Sequence, residues 1–363
     1  MKKAFLVALL PISLFASYAC TVSSEPPLTA TDAGETPDST IPETPPDSSR
    51  PVEAGRDTGT PVDGAQASQN PVEGFVPVRV ASGAGYVDSA QWKSPALFFS
   101  VTDVATDTLV QLLLPDTPSE FRKPAGRPLG LALNEANELL MLESSPVGRL
   151  VKVAPDGKSV TAIASSSIEE DAGVRAFDSP NDLVVRKDGV IFVTDPGYQA
   201  KTAGALVLNR IYRVTAAGVA STIATFPGGD EPNGIALSPD ETSLYVSFTS
   251  PSTALGPVPF VAKYAVAADG TLSGRTTFAS YGDRSVVDGL TTDDLGNVYV
   301  ACEIGVEVYS PAGVKLGTIG VPVGDRPVHT VRFGGADRMS LFIGMTGGLY
   351  SGKTKVPGRT GER

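Results

Sequence analysis

Ser179-Pro180-Asn181-Asp182-Leu183-Val184-Val185-Arg186-Lys187-Asp188-Gly189-Val190-Ile191-Phe192-Val193 reads as two short strands joined by a tight turn. Leu183 to Val185 and Val190 to Val193 are apolar, β-branched runs, and Lys187-Asp188-Gly189 between them is a turn sequence. A third run, Arg210-Ile211-Tyr212-Arg213-Val214, and a fourth, Ser221-Thr222-Ile223-Ala224, follow without any long 3.6-period segment between them. Four such strands make one small antiparallel sheet.

The opening of that unit recurs along the chain. A pivot residue follows Pro or Val, is followed by Gly, Asp, Ser or Thr, and then by an apolar residue that starts a strand. The pivots are Asp88, Leu129, Asn181, Asn233, Asp288 and His329, spaced by 41, 52, 52, 55 and 41 residues. Each is followed by a second apolar run, for example Leu139-Leu140-Met141-Leu142, Ser243-Leu244-Tyr245-Val246 or Ser340-Leu341-Phe342-Ile343. Self-similarity at this period marks a repeat array, and four strands repeated six times predict an all-β fold, a six-bladed β-propeller over residues 75–363. The last unit ends at Gly348-Leu349-Tyr350-Ser351 as its third strand. Val76-Pro77-Val78-Arg79-Val80, ahead of the first pivot, is expected to supply the fourth and so clasp the two ends together.

The N-terminal part of the chain has a different composition. Residues 1–20 carry Lys2 and Lys3, an apolar run from Phe5 to Phe15, and Ser17-Tyr18-Ala19-Cys20, which reads as an export signal too short to span a membrane. Cys20 fits either acylation as a bacterial envelope lipoprotein or plain cleavage and secretion. Residues 21–74 are rich in Pro, Ser, Thr, Asp and Glu and nearly devoid of large apolar side chains, the composition of a disordered acidic tether. The chain has a net charge of −11, and no basic stretch suits nucleic acid as a partner. A membrane contact is expected only through a lipid at Cys20. Two cysteines exclude a disulfide framework, and Cys302, within an alternating strand, is expected to be a buried structural thiol.

If the repeats close around an axis, their pivots form a ring. Asp88, Asn181, Asn233 and Asp288 would then bring two carboxylates and two amide carbonyls to one place. Those hard oxygen donors suit Ca²⁺, with other divalent cations as alternatives, and a single His with one spare Cys cannot build the usual zinc site. Any one Pro-Asn-Gly or Pro-Asn-Asp alone is a turn sequence, and only the shared register lifts these four above that. Leu129 breaks the ring. His329, the one histidine, has two readings: a structural imidazole at the start of a strand, or a substrate-contacting or proton-handling group beside the ion. The chain has no Gly-x-Ser-x-Gly elbow, Walker phosphate loop or dinucleotide fingerprint.

Ser179-Pro180-Asn181-Asp182 with Phe192-Val193-Thr194-Asp195-Pro196 resembles the SMP-30/gluconolactonase/luciferin-regenerating-enzyme family of calcium-dependent propellers. So do Pro232-Asn233-Gly234, Asp288-Gly289-Leu290 and Phe333-Gly334-Gly335 in order and spacing. The resemblance implies that Asn233 and Asp288 are metal ligands, Asn181 a ligand or substrate contact, and Asp288 also the proton-handling residue. It implies hydrolysis of a small-molecule lactone or related ester. The family's first-blade Glu is matched here by Asp88, one methylene shorter, in Asp88-Ser89-Ala90-Gln91-Trp92. Two rivals to the lactonase reading are a non-catalytic cell-surface propeller that binds a ligand or protein, and phosphotriester hydrolysis at the same ion. Substrate choice is expected to lie in long connections over the channel, including Ser165 to Phe177 and Thr249 to Pro259.

Overall fold

The structure is a computed structural model, and it describes residues 70–82, 85–102, 106–169, 173–198, 209–226, 230–249, 258–282 and 286–360. The export signal and nearly all of the tether lie outside the described residues. Among the described residues, the one helical element is the 3-10 turn Val323–Asp325. All other regular structure is β.

Six sheets follow one another along the chain, each with an antiparallel four-stranded blade at its centre. Their innermost strands are Val87–Lys93, Pro128–Leu133, Leu183–Val185, Glu231–Leu237, Val287–Thr292 and Val328–Gly334. Each inner strand lies against those of the blades before and after it, and the first lies against the sixth, so the ring is closed. The expected clasp is present. Val78–Ser82 pairs antiparallel with Gly348–Lys353 and completes the sixth blade from the other end of the domain. Ahead of residue 75, Asn70 to Gly74 form a turn in which Val72 is only 6% exposed and packs into the core of the last blades.

The strands hold because both faces of every sheet are covered. Alternate side chains of a strand point to opposite faces. In the third blade Leu183, Val185 and Val193 therefore pack toward the second blade, while Val184 and Phe192 pack toward the fourth. Six apolar clusters result, one in each interface between successive blades. Burial on two faces explains why these strands read as unbroken apolar runs. Cys302 is fully buried in the cluster between the fourth and fifth blades, as the sequence predicts.

One connection lies elsewhere than expected. Ser166–Glu169 and Gly173–Ala176, within the segment Ser165 to Phe177, form a hairpin. Its first strand pairs parallel with Ala220–Phe226, the outermost strand of the third blade, extending that sheet to six strands. The segment covers an open sheet edge at the rim and does not pass over the channel. Residues 250–257, most of the other connection, lie outside the described residues.

Candidate active site

Each inner strand is irregular at its pivot. Pairing with the second strand slips between Val87 and Ser89, Pro128 and Leu131, Pro232 and Ile235, Val287 and Leu290, and Val328 and Thr330. A bulge of this kind inserts a residue and re-aims a side chain that regular alternation would send into a blade interface. In the third blade Asn181 stands two residues ahead of the strand, held by a hydrogen bond from its backbone N to Thr194 O of 2.8 Å.

The result is convergence. Asp88, Leu129, Asn181, Asn233 and Asp288, from five blades, line a single cavity of about 580 Å³. Tyr86, Thr102, Arg127, Tyr198 and Thr346 complete most of its wall. His329, the sixth pivot, is not among the lining residues. It is 3% exposed, stacks on Tyr86 with ring centroids 3.7 Å apart, and has both ring nitrogens engaged. Nδ1 lies 3.1 Å from Asp288 Oδ2 and Nε2 lies 2.9 Å from Thr346 Oγ1. His329 therefore reaches the cavity only through its contacts with Asp288 and Thr346, which line it.

The residue after each pivot forms the layer below, where the blades touch backbone to backbone. A Cβ on Gly234 would stand 2.5 Å from the Asp288 carbonyl oxygen, and one on Gly289 2.8 Å from that of His329. Hydroxyls and amides sew this layer together. Ser89 Oγ accepts from Leu131 N (3.1 Å), Thr194 Oγ1 donates to Asn233 O (2.6 Å), and Ser247 Oγ donates to Asp288 O (2.7 Å). Asp182 Oδ2 accepts from Ile235 N at 3.2 Å, and its Oδ1 accepts from Arg332 of the opposite blade at 3.0 Å. That ion pair crosses the channel and forms the floor of the site.

The segment that delivers Asn181 is held by Asp195, in the motif Thr194-Asp195-Pro196. Its buried carboxylate accepts from the backbone N–H groups of Asp178 (2.7 Å) and Ser179 (2.8 Å) and from the Tyr212 hydroxyl (3.1 Å). Burial outweighs these donors and pushes its pKa up to about 6.

Burial dominates the electrostatics of the cavity as well. The Asp288 carboxyl is raised well above the usual range by burial and by the Asp182 charge, and Asp88 by burial and by Asp288, against smaller opposing effects of His329 and Arg127. The His329 imidazole is lowered to about 4 by burial, so its neutral form is favoured. Among the described residues Asn233 Oδ1 is buried without a hydrogen-bond donor. Two buried carboxyls with raised pKa values and an amide oxygen lacking a donor are features that a divalent cation satisfies together. Among the described residues no three carboxylates, imidazoles or thiolates cluster in a way that could hold a metal, so a cation here depends on the amide oxygens of Asn181 and Asn233.

The chain is 27% identical to a gluconolactonase from Zymomonas mobilis, over 77% of this chain and 81% of that protein. It is 31% identical to a pentonolactonase from Haloferax volcanii, over 48% of this chain and 56% of that protein. The solved structure of a gluconolactonase from Xanthomonas campestris superposes with a TM-score of 0.65 at 25% identity, over 77% of this chain and 90% of that one. The model of the SMP-30/gluconolactonase/LRE-like region matches residues 88–346. It begins at the first pivot, ends at Thr346 beside the last, and takes in all six inner strands, so the chain belongs to the SMP-30/gluconolactonase/LRE-like family.

Proposed function

We propose that this protein is a lactonase that opens a small cyclic ester to its hydroxy acid. One observation carries the reading: oxygen-bearing pivots from four blades, Asp88, Asn181, Asn233 and Asp288, share one cavity within the segment that matches the family. The names of the two curated relatives support the reaction class. A divalent cation, with calcium the best match to four oxygen donors, would be held by these residues and would supply Lewis acidity to the lactone carbonyl.

The chain's own groups handle the proton. Water adds to the carbonyl carbon and its proton passes to Asp288. The ring C–O bond then breaks, and Asp288 returns the proton to the leaving alkoxide. His329, neutral, donates from Nδ1 to Asp288 Oδ2 while Nε2 accepts from the Thr346 hydroxyl, which fixes the tautomer and the carboxylate plane. Tyr86 stacked on the imidazole keeps the ring from turning. In this reading the export signal over residues 1–20 delivers the enzyme outside the cytoplasm, anchored at Cys20 or released.

Hydrolysis of glucono-1,5-lactone, followed by acid release in a calcium titration, tests the proposal. Turnover should vanish with chelator and return with calcium, and Asn233→Ala should raise the calcium needed. A folded protein that turns over no lactone in excess calcium would refute it.

A further inference from the structure

Three side chains at the junction of the fifth and sixth blades stand in a line that the mechanism above uses only in part. Thr346 Oγ1 lies 2.9 Å from His329 Nε2, and His329 Nδ1 lies 3.1 Å from Asp288 Oδ2. Hydroxyl, imidazole and carboxylate at hydrogen-bond distance in that order are the constellation that turns an alcohol into a nucleophile. In the lactonase mechanism the Thr346 hydroxyl only anchors the ring. Its surroundings fit a second use.

Thr346 is exposed and lines the cavity, whereas His329 behind it is buried. The hydroxyl therefore has the imidazole on one side and the cavity on the other. It is also held in place. Thr346 and Gly347 form the two-residue turn between Ser340–Met345 and Gly348–Lys353, and the last pair ahead of the turn is Met345 with Gly348. Thr346 N donates to Pro327 O at 3.3 Å, Gly347 N to Asp325 O at 3.2 Å, and Arg79 Nη1 to Gly347 O at 3.2 Å. Asp325 in turn accepts from Arg79 and from the Tyr350 hydroxyl. A turn tied down in this way keeps the Thr346 oxygen fixed relative to the ring. Tyr86, stacked on His329, fixes the plane of the imidazole and adds an aromatic surface to the same cavity.

We propose that Thr346, His329 and Asp288 form an acyl-transfer triad, a second activity of the cavity that hydrolyses open-chain carboxylic esters through an acyl-threonine. Thr346 Oγ1 adds to the ester carbonyl carbon as its proton passes to Nε2. The C–O bond to the alcohol breaks, and Nε2 gives that proton to the departing oxygen. Water then adds to the acyl carbon, its proton passes to Nε2, and Thr346 leaves and recovers that proton. Asp288 stays ionised and faces the positive charge that the ring carries between transfers.

Ring and open-chain esters part company at the acyl-threonine. A lactone opened by Thr346 keeps its own hydroxyl attached to the acyl group, and that tethered hydroxyl re-forms the ring faster than water can act. An open-chain ester loses its alcohol to solvent, so the covalent step is productive. The proposal rests on the lactonase reading in one respect: the cation is what keeps Asp288 ionised.

The experiment mixes calcium-loaded protein with p-nitrophenyl acetate, follows p-nitrophenol release, and maps acetyl groups by peptide mass spectrometry after an acid quench. The wild type should release a burst of about one equivalent and carry an acetyl group on the peptide that holds Thr346. Thr346→Val, on an exposed turn, should lose both, and Thr346→Ser should keep both. His329→Gln should slow the burst by about 100-fold or more. No acetyl group at Thr346, acetyl groups spread over lysines and tyrosines, or equal bursts in the wild type and Thr346→Val would overturn the proposal. Lactone turnover on the same wild-type sample separates the two readings. A burst with acetyl-Thr346 but no lactone turnover would leave the triad standing and remove the lactonase. Lactone turnover without the acetyl group would do the reverse.

Discussion

Two layers of the channel, one residue apart along every inner strand, treat polar groups in opposite ways. In the lower layer Ser89, Asp182, Ser247 and Thr194 exchange hydrogen bonds between blades, and Asp182 is paired across the channel with Arg332. In the pivot layer above, the pKa of Asp288 is raised by burial and by Asp182, that of Asp88 by burial and by Asp288, and Asn233 Oδ1 has no donor among the described residues. The lower layer is built to hold six blades together. The upper is left short of partners, as a site must be if it is to bind something. The bulge at the pivot separates the two functions while keeping them on the same strand.

The sharpest break of this comparison comes from exchanging residues between the layers. Asp288→Asn keeps the shape of the side chain but removes the proton acceptor, so lactone turnover should fall by about a thousandfold. Urea unfolding should show stability unchanged or slightly raised, since a carboxyl already disfavoured by burial is gone. A large loss of stability would mean that the pivot layer is structural after all. Asp182→Ala should do the opposite below. It leaves the Arg332 guanidinium buried without its carboxylate, at a cost of roughly 3–5 kcal/mol in urea unfolding. Arg332→Leu should cost less, because the stranded Asp182 can take up a proton and an arginine cannot release one. Equal costs would show that the stranded charge is not what makes the loss of Asp182 expensive.

Asp195 sharpens the comparison from outside both layers, since it orders the segment that leads into Asn181. Its pKa is raised to about 6, so the stability it contributes is complete below the unfolded value near 3.8 and is lost as pH rises through about 6. A gap of that size is worth roughly 3 kcal/mol. A carboxyl-carbon NMR titration should find its midpoint near 6. A midpoint in the ordinary carboxylate range would mean that the Asp178 and Ser179 amides outweigh burial.

Much of this was legible in the sequence, for reasons that differ by layer. Strands buried on both faces leave apolar runs, and Asp-Gly turns punctuate them, so the blades and the clasp formed by Val78–Ser82 could be read directly. The oxygen-bearing pivots showed because they share a register. The bulges that aim them could not be read, since a bulge changes pairing and not composition. Asp182 and Arg332 are 150 residues apart. Their one signal was a charge inside the apolar run Val331-Arg332-Phe333. Arg127, which also lines the cavity, was hidden by lying two residues before Leu129, where the pattern of oxygen donors fails. The hairpin within Ser165 to Phe177 was misplaced because an insertion's length does not say whether it lies over the channel or along the rim.

The contact between blades can be probed more gently. Gly234→Ala places a methyl against the Asp288 carbonyl and the Gly289 backbone, neither of which can rotate away. About 1–3 kcal/mol of stability should be lost. Because the displaced backbone is that of Asp288, turnover should drop with it, coupling the layers that Asp288→Asn keeps apart. Ser247→Ala is the smallest step, removing one hydroxyl that donates to the same carbonyl at 2.7 Å. Roughly 1–2 kcal/mol is expected, because the Ser247 oxygen also accepts from Gly234 N at 2.8 Å. If Ser247→Ala leaves turnover intact while Gly234→Ala does not, the position of the Asp288 backbone is set by steric contact and only trimmed by the hydrogen bond. If both reduce turnover in proportion to stability, the floor and the site move as one body, and the separation between layers lies in their chemistry alone.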